Sequence, residues 1–291
     1  MQFWNTKKEI DALERSEREG MSVKRALTTV IGLPLVIILL LQGNKYIFDV
    51  IIAVVAVIGM YEYAKCSKEK AKVIPWIGYV CAISIAFIHA VPETALEYIK
   101  LAILPFFFLT LFLHPILSNL KINFQDIAHT FLGIVYICGG SLFLAIIYGM
   151  ETKVPGVVLI WYVMFASWAT DSFAYLIGTK FGKRHFSEVS PKKSIEGCIA
   201  GTLSAILIIA LFTFFINKFL GYNISYIIIC IIGLILSILG QIGDLSASVI
   251  KRYLGIKDFS NLFPGHGGML DRMDSVMFIA PFAYLLFKMF I

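Results

Sequence analysis

Long apolar runs separated by short charged segments dominate this chain of 291 residues. The hydrocarbon core of a membrane is about 30 Å thick and needs roughly 20 mostly apolar residues in a helix, so such runs predict membrane-spanning helices. The pattern predicts about nine spans. They lie near residues 26–43, 46–64, 74–92, 98–118, 127–149, 155–178, 195–217, 224–250 and 273–291. The third and fourth are the least regular, because prolines and a histidine interrupt them.

The composition agrees with this pattern. Hydrophobic residues make up 59% of the chain and charged residues 15%, and the mean hydropathy is +0.84. These values exclude an ordinary soluble domain. The predicted fold class is an all-α, polytopic integral membrane protein. The five cysteines are scattered without a C-x-x-C pair, so we expect no disulfide framework.

The basic residues predict how the chain crosses the membrane. With the N-terminus in the cytoplasm, all but five of the 25 Lys and Arg residues fall in cytoplasmic segments. The five exceptions are Lys45, Lys100, Lys153, Lys218 and Lys288. This asymmetry predicts an odd number of spans and an N-in, C-out orientation. We attribute the net charge of +6 to topology and contact with anionic lipid, and expect no nucleic-acid partner.

The polar residues also divide the chain. Residues 1–20 mix dense charge with a few apolar side chains and predict an N-terminal extension, either an interfacial helix or a frayed segment. Polar residues become denser after Ser167, so we divide the rest into a scaffold half (21–150) and a catalytic half (151–291). In the scaffold half we expect Glu62, His114 and His129 to lie at helix ends or pair within the bundle.

The segment 244–274 carries charge between two apolar runs. A carboxylate inside such a run costs roughly 2.5–3.5 kcal/mol on insertion scales, so it needs a partner, a metal or a task. Helical spacing puts four polar residues on one face of the eighth helix: Asp244, Ser248, Lys251 and Arg252. Asp271 and Asp274 begin the ninth. Between the two helices, P-G-H-G-G at 264–268 can bend the chain and present backbone N–H groups to an anion.

A second polar segment runs from Asp171 to Gly197. Asp171, Tyr175 and Gly178 share one helix face. A loop containing Ser190, Lys192, Lys193 and Glu196 follows. The segment predicts an anion-binding loop. The alternative is a basic cytoplasmic loop of the kind found in any membrane protein.

Together these segments indicate a chemistry. The four carboxylates Asp171, Asp244, Asp271 and Asp274 are expected at similar depth near one membrane face, where their oxygens could hold a hard cation such as Mg²⁺. Carboxylates, a basic strip and a Gly-rich turn fit phosphoryl or nucleotidyl transfer, and the membrane makes a lipid the natural second substrate. Structural salt bridges are the alternative explanation for any single charge.

The segment from Ser246 to Asp274 also resembles the signature of the phosphatidate cytidylyltransferases, or CDP-diacylglycerol synthases. It reads S-A-S-V-I-K-R-x4-K-D-F-S-x2-F-P-G-H-G-G-M-L-D-R-M-D. Two shorter matches support the resemblance: S-P-K-K-S-I-E-G, from Ser190 to Gly197, and D-S-F-A-Y-x2-G, from Asp171 to Gly178. The similarity covers roughly residues 21–291 and is weaker in the first half.

The resemblance implies a helical enzyme of the bacterial inner membrane, with its active site facing the cytoplasm. It implies conversion of CTP and phosphatidic acid to CDP-diacylglycerol and pyrophosphate with Mg²⁺, and potassium is a candidate second cation. It also suggests a homodimer, which no residue demonstrates.

The resemblance and the spacing together assign roles to individual residues. The predicted metal ligands are Asp244, Asp271 and Asp171. The predicted catalytic residues are Asp244, Lys251, Arg252, His266, Asp271, Arg272 and Asp274. The predicted substrate-binding residues are Asp171, Tyr175, Ser190, Lys192, Lys193, Glu196, Ser248, Lys257, Gly267 and Gly268. We interpret His266 as a phosphate or turn contact before a base, because an ionised lipid phosphate needs no strong base.

Three other functions compete with this prediction. A CTP-dependent polyprenol or lipid kinase would transfer the terminal phosphate and release CDP. An ion-coupled transporter would use Asp171 and Asp244 as an ion pathway, and predicts charges spread over both leaflets. A purely structural protein gives no reason for H-G-G close to D-R-M-D.

Overall fold

The computed structural model describes residues 44–119, 121–184, 187, 189–190, 193–263 and 267–291. These residues form helices joined by short turns. In chain order the helices are α1 (Lys45–Ser67), α2 (Pro75–Ser84, extended by a 3₁₀ turn at Ile85–Phe87), α3 (Glu93–Leu117), α4 (Phe124–Gly133), a π-helical segment (Ile134–Gly139), α5 (Gly140–Tyr148), α6 (Gly156–Phe181), α7 (Ile195–Leu220), α8 (Tyr226–Tyr253) and α9 (Leu270–Phe290).

The all-α prediction is confirmed for the described residues. In the described part of the chain, six helices are long and apolar enough to cross a membrane: Lys45–Ser67, Phe124–Tyr148, Gly156–Phe181, Ile195–Leu220, Tyr226–Tyr253 and Leu270–Phe290. Two shorter apolar helices, Pro75–Phe87 and Pro105–Leu117, occupy the positions of the two least regular predicted spans. The predicted span at 26–43 and the N-terminal extension at 1–20 lie outside the described residues. The count of nine and the orientation stay predictions.

At the starts of α1, α4 and α7, side chains satisfy backbone N–H groups that have no partner within the helix. Asn44 accepts hydrogen bonds from the amides of Tyr46 and Ile47 at the start of α1. Asn123 and Asp126 form a reciprocal capping box at the start of α4. Ser194 accepts from the Gly197 amide at 3.1 Å at the start of α7. These caps make each helix begin where the polar sequence meets an apolar run.

The helices α6, α7 and α8 pack closely around a buried polar network. The hydroxyls of Thr170 and Ser237 lie 2.6 Å apart, Ser237 donates to Thr202 at 3.1 Å, and the Gln241 amide donates to Thr202 at 2.8 Å. A Cβ on Gly201 would lie 2.5 Å from the Thr170 carbonyl oxygen, so only glycine allows α6 and α7 to approach this closely. The network therefore fixes three helices just below Asp171 and Asp244.

The outer face of α7 is apolar. Ile199, Leu203, Leu207 and Leu211 recur every four residues and are all exposed. A stripe of this kind is costly in water and stable against lipid tails. We therefore interpret this face of α7 as lipid-facing.

Candidate active site

The predicted acidic residues converge at one end of the helix bundle. Asp171 of α6 lies within electrostatic range of Asp244 of α8. Asp274 of α9 lies within range of both. Tyr136, in the π-helical segment, interacts electrostatically with Asp244, Asp271 and Asp274. Four carboxylates on three helices therefore share one neighbourhood, as the spacing of the sequence predicted.

Asp271 is the most tightly bound of the four. One of its oxygens accepts from the Lys251 ammonium at 2.9 Å. The other accepts from the backbone amides of Phe259 at 2.8 Å and Gly268 at 2.9 Å. The side chain is only 4% exposed. Because three donors converge on it, Asp271 ties the start of α9 to α8 and to the loop between them.

Asp274 lies one turn further along α9 and is buried. Its carboxylate accepts from the Ser275 amide at 2.7 Å, and one of its oxygens lies 4.0 Å from the Lys251 ammonium. Tyr136 donates to the Asp274 carbonyl at 3.2 Å. Lys251 therefore serves both carboxylates of α9, and its ammonium also lies 5.5 Å from the centre of the Phe259 ring.

A second ion pair joins Lys193, in the loop before α7, to Asp244. Both side chains are partly exposed, 21% for the lysine and 27% for the aspartate. Asp171 is exposed nearby. This side of the neighbourhood is therefore more open than the Asp271 side.

Glu196 organises the loop between α6 and α7. One of its oxygens accepts from the amides of Lys183 at 3.1 Å and Arg184 at 3.4 Å. The Ile195 amide donates to the Arg184 carbonyl at 3.0 Å. These bonds fold the loop back on the start of α7. They give Glu196 a structural reason to be present besides its predicted contact with substrate.

The remaining predicted site residues differ in their exposure. Arg272 is exposed at the start of α9, within electrostatic range of Asp171. Tyr175, Arg252 and Lys257 are also exposed, whereas Ser248 and Ser190 are half-buried. Gly267 has a left-handed φ of 82°, which favours glycine there. The predictions for His266 and Lys192 lie outside the described residues.

Glu62 is a residue that the sequence reasoning did not place at this site. It lies in the last turns of α1, is 2% exposed, and contacts the loop before α9 and the start of that helix. We expected Glu62 to lie at a helix end or to pair within the bundle. The structure places it at a helix end, but that end is the start of α9 and not of its own helix. The available signal was a carboxylate near the end of an apolar run, as for Asp171 and Asp244.

The acidic side chains at the site are too few and too far apart to enclose a divalent cation by themselves. Among the described residues, no group of three or more His, Cys, Asp or Glu side chains is arranged to hold a metal ion. Asp244 and Asp271 each face a lysine instead. Mg²⁺ commonly binds one or two carboxylates and completes its shell with substrate phosphates and water. The described residues therefore do not form a closed cage of protein ligands, and any divalent ion there would need further ligands from water or a bound phosphate.

Comparisons with known proteins agree with the geometry. A family model described as the cytidylyltransferase family matches residues 23–290. A protein of Staphylococcus aureus (strain COL) named phosphatidate cytidylyltransferase is 32% identical over 267 residues, covering 90% of this chain and 97% of that protein. Proteins with the same name from Bacillus subtilis (strain 168) and Staphylococcus haemolyticus (strain JCSC1435) are 31% and 30% identical, at 92% and 90% of this chain.

The match extends over nearly the whole chain, including the apolar first half where the resemblance was weakest. It confirms the resemblance that the segment 246–274 indicated, and with it the prediction of a nucleotidyltransferase. The chain belongs to the cytidylyltransferase family.

Proposed function

We propose that this protein is a phosphatidate cytidylyltransferase, which transfers CMP from CTP to phosphatidic acid and releases pyrophosphate. The structural observation that carries the proposal is the pair of ion pairs, Lys193–Asp244 and Lys251–Asp271, at one end of a helix bundle built to span a membrane. The names of the similar proteins support the choice of substrates.

The reaction is a displacement at phosphorus. An oxygen of the lipid phosphate forms a bond to the α-phosphorus of CTP, and the bond from that phosphorus to the bridging oxygen of the β-phosphate breaks. The bond electrons leave with pyrophosphate. A lipid phosphate is already ionised near neutral pH, so positioning and neutralisation of charge dominate over base catalysis.

Lys193 and Lys251 are the residues that we propose to contact the phosphates. Each already lies against a carboxylate at the site, so its ammonium can exchange that partner for a phosphate oxygen without crossing the bundle. Arg252, Lys257 and Arg272 are exposed around this position and extend the basic surface. His266 and Lys192 belong to the same proposal as phosphate contacts.

Magnesium belongs to the proposal as the ion that accompanies the triphosphate. Asp244, Asp271 and Asp171 are the residues that would hold it, with potassium as a candidate second cation. When bound, a divalent ion neutralises the phosphates and stabilises the departing pyrophosphate. Release of Asp244 and Asp271 from their lysines would then accompany nucleotide binding.

The membrane arrangement follows from the same proposal. We infer nine spans in an N-in, C-out orientation, with the site at the cytoplasmic face of the bacterial inner membrane, where CTP is available. The bias of the basic residues supports this orientation. Similar proteins of bacteria support the location. A homodimer stays a prediction.

The products of the reaction test the proposal. Purified protein in detergent is supplied with phosphatidic acid and CTP labelled either at the α- or at the γ-phosphate. We expect the α-label in a CDP-lipid and the γ-label in pyrophosphate. Label from the γ-phosphate in a lipid, with release of CDP, would identify a lipid kinase instead. No transfer of either label would refute both activities.

A further inference from the structure

A carboxylate from the scaffold half holds the start of the helix that carries Asp271. Glu62 of α1 accepts hydrogen bonds from the Met269 amide at 3.0 Å and the Leu270 amide at 2.8 Å. It also accepts from the Ser260 hydroxyl at 2.5 Å. The partners are some 200 positions away in the sequence, so the contact joins the two halves of the chain.

This contact replaces a missing local cap. Helix α9 begins after Met269, whose side chain caps nothing. Its first N–H groups therefore need acceptors from elsewhere. The negative carboxylate also faces the positive end of the helix dipole. Glu62 thus performs for α9 the task that Asn44 performs for α1.

The charge on Glu62 has no cationic partner in the described residues. No Lys, Arg or His there lies within ion-pair distance of it. A buried carboxylate without a cation is costly unless several donors satisfy it. Glu62 is 2% exposed and has three donors. A neutral residue would avoid that cost, so packing alone gives no reason for an acid at this position.

The geometry links Glu62 directly to Asp271. The amides of Gly268, Met269 and Leu270 are consecutive: the first donates to Asp271 and the next two to Glu62. A Cβ on Gly268 would lie 2.7 Å from a Glu62 oxygen, so the carboxylate lies directly against this backbone. The turn before α9 is therefore held between two acids, one on each side.

The same end of α1 reaches the other anchor of Asp271. The Cys66 thiol, one turn after Glu62, donates to the Phe259 carbonyl at 2.9 Å. The Phe259 amide donates to Asp271. Both backbone segments that bind the Asp271 carboxylate therefore rest on the last turns of α1.

We propose that Glu62 is a positioning residue for the transfer reaction, which fixes the Asp271 carboxylate and the adjoining loop in the arrangement that accepts CTP. It touches no reacting atom and acts through the Met269 and Leu270 amides. This inference rests on the proposed function, because its test measures the transfer of CMP to phosphatidic acid. It assigns a part in the reaction to the scaffold half, which the sequence had left without one.

The test is Glu62→Gln, which keeps the size of the side chain and replaces one acceptor oxygen with an NH₂ group. We expect kcat/KM for CTP to fall by at least about tenfold, the scale of losing a charge-assisted hydrogen bond. The KM for phosphatidic acid should stay within about twofold. The reason is that the substitution displaces Asp271 and the turn before α9, which we propose to act on CTP.

Asp126→Asn is the matched control. Asp126 is also a buried carboxylate at a helix start, and accepts from the Lys72 amide of a distant segment. It makes none of the contacts at the site. We expect the melting temperature of this variant to fall by about as much as that of Glu62→Gln, and its kcat/KM for CTP to equal the wild-type value. Its production of CDP-diacylglycerol also tests the proposed function independently of Glu62.

Two results would overturn the inference. The first is a folded Glu62→Gln protein with kcat/KM for CTP within twofold of wild type. The second is an equal loss of kcat/KM in Asp126→Asn at equal melting temperature, which would reduce Glu62 to a stability role. If Glu62→Gln does not fold, Ser260→Ala decides, because it removes one of the three donors. We expect a fall of about threefold or more, and a wild-type value would refute the positioning role.

Discussion

At the scale of single residues, the site is a set of acids already occupied by donors. Asp271 accepts from Lys251 and two backbone amides, and Asp244 faces Lys193. These partners keep negative charges stable inside a largely apolar bundle. The same pairs bring two ammonium groups to the site, and these are the groups that we propose to contact the triphosphate.

Asp271→Asn tests the acid with the most contacts. The amide has nearly the same size but no charge, and its NH₂ group would face N–H donors. We expect turnover to fall by at least about 100-fold, a loss of roughly 3 kcal/mol in transition-state stabilisation. The protein should still elute as a folded, monodisperse species. A folded variant with wild-type turnover would refute the role of this carboxylate.

Lys251→Ala tests the central cation. Its ammonium serves Asp271 at 2.9 Å and Asp274 at 4.0 Å. We expect kcat/KM for CTP to fall at least about tenfold, because a charged contact to phosphate is lost. Lys288→Ala, an exposed lysine near the opposite end of α9, is the control and should leave kcat/KM unchanged. Equal kinetics in the two variants would argue against contact between Lys251 and the triphosphate.

Sequence reasoning found the acids of the catalytic half, because charge within apolar runs is costly and therefore conspicuous. It noted Glu62 but did not connect it to α9. A pattern of spacing relates residues on one helix, whereas Glu62 acts through amides some 200 positions away. Only the packing of α1 against the start of α9 reveals that contact.

At the scale of helices, close crossings set the position of the acids. Thr170, next to Asp171, and Gln241, one turn before Asp244, belong to the buried polar network of α6, α7 and α8. Because the α6–α7 crossing is close at Gly201, a displacement there would move Asp171 as well.

Gly201→Ala and Gly240→Ala test this crossing as a matched pair. Both glycines are buried in helices. A Cβ at 201 would lie 2.5 Å from a backbone oxygen, whereas at 240 the nearest atom is 3.8 Å away. We expect Gly201→Ala to lose about 1–3 kcal/mol of stability from overpacking. Gly240→Ala should be neutral or gain up to about 1 kcal/mol from helix propensity. Equal melting temperatures in detergent would contradict the close crossing.

The apolar pattern predicted the helices well where a single apolar run forms a single helix. The span expected at 195–217 is helix Ile195–Leu220, and the one at 224–250 is helix Tyr226–Tyr253. It did not predict the π-helical segment Ile134–Gly139 within the span at 127–149. Such a segment changes only the backbone hydrogen-bond register, which hydrophobic periodicity does not record.

At the scale of the whole molecule, the four predicted site carboxylates lie together at one end of the bundle. The transporter alternative predicted intramembrane charge distributed over both leaflets, and the predicted site acids do not have that distribution. Another buried acid, Asp49, lies near the start of α1 and pairs with His89 at 2.9 Å. Asp49 therefore has its own partner and lies apart from the site.

Removal of divalent cations tests the proposed ion at this scale. We expect excess chelator to reduce transfer to background, and added Mg²⁺ to restore it. The physical reason is that the four carboxylates at the site offset much of the positive charge of its lysines and arginines, so the phosphates need a cation of their own. Transfer at the wild-type rate in excess chelator would exclude a divalent ion from the reaction.

The most direct measurement of the central claim is equilibrium binding of CTP, in the presence of Mg²⁺, to the purified protein in detergent. The account predicts that Lys193→Ala and Lys251→Ala each weaken binding at least about tenfold, while Lys288→Ala does not. Lys193 lies just before α7 and Lys251 lies in the last turn of α8. Weaker CTP binding in both variants would therefore show that two separate segments contact one nucleotide. Dissociation constants within twofold of wild type in both variants would contradict the account.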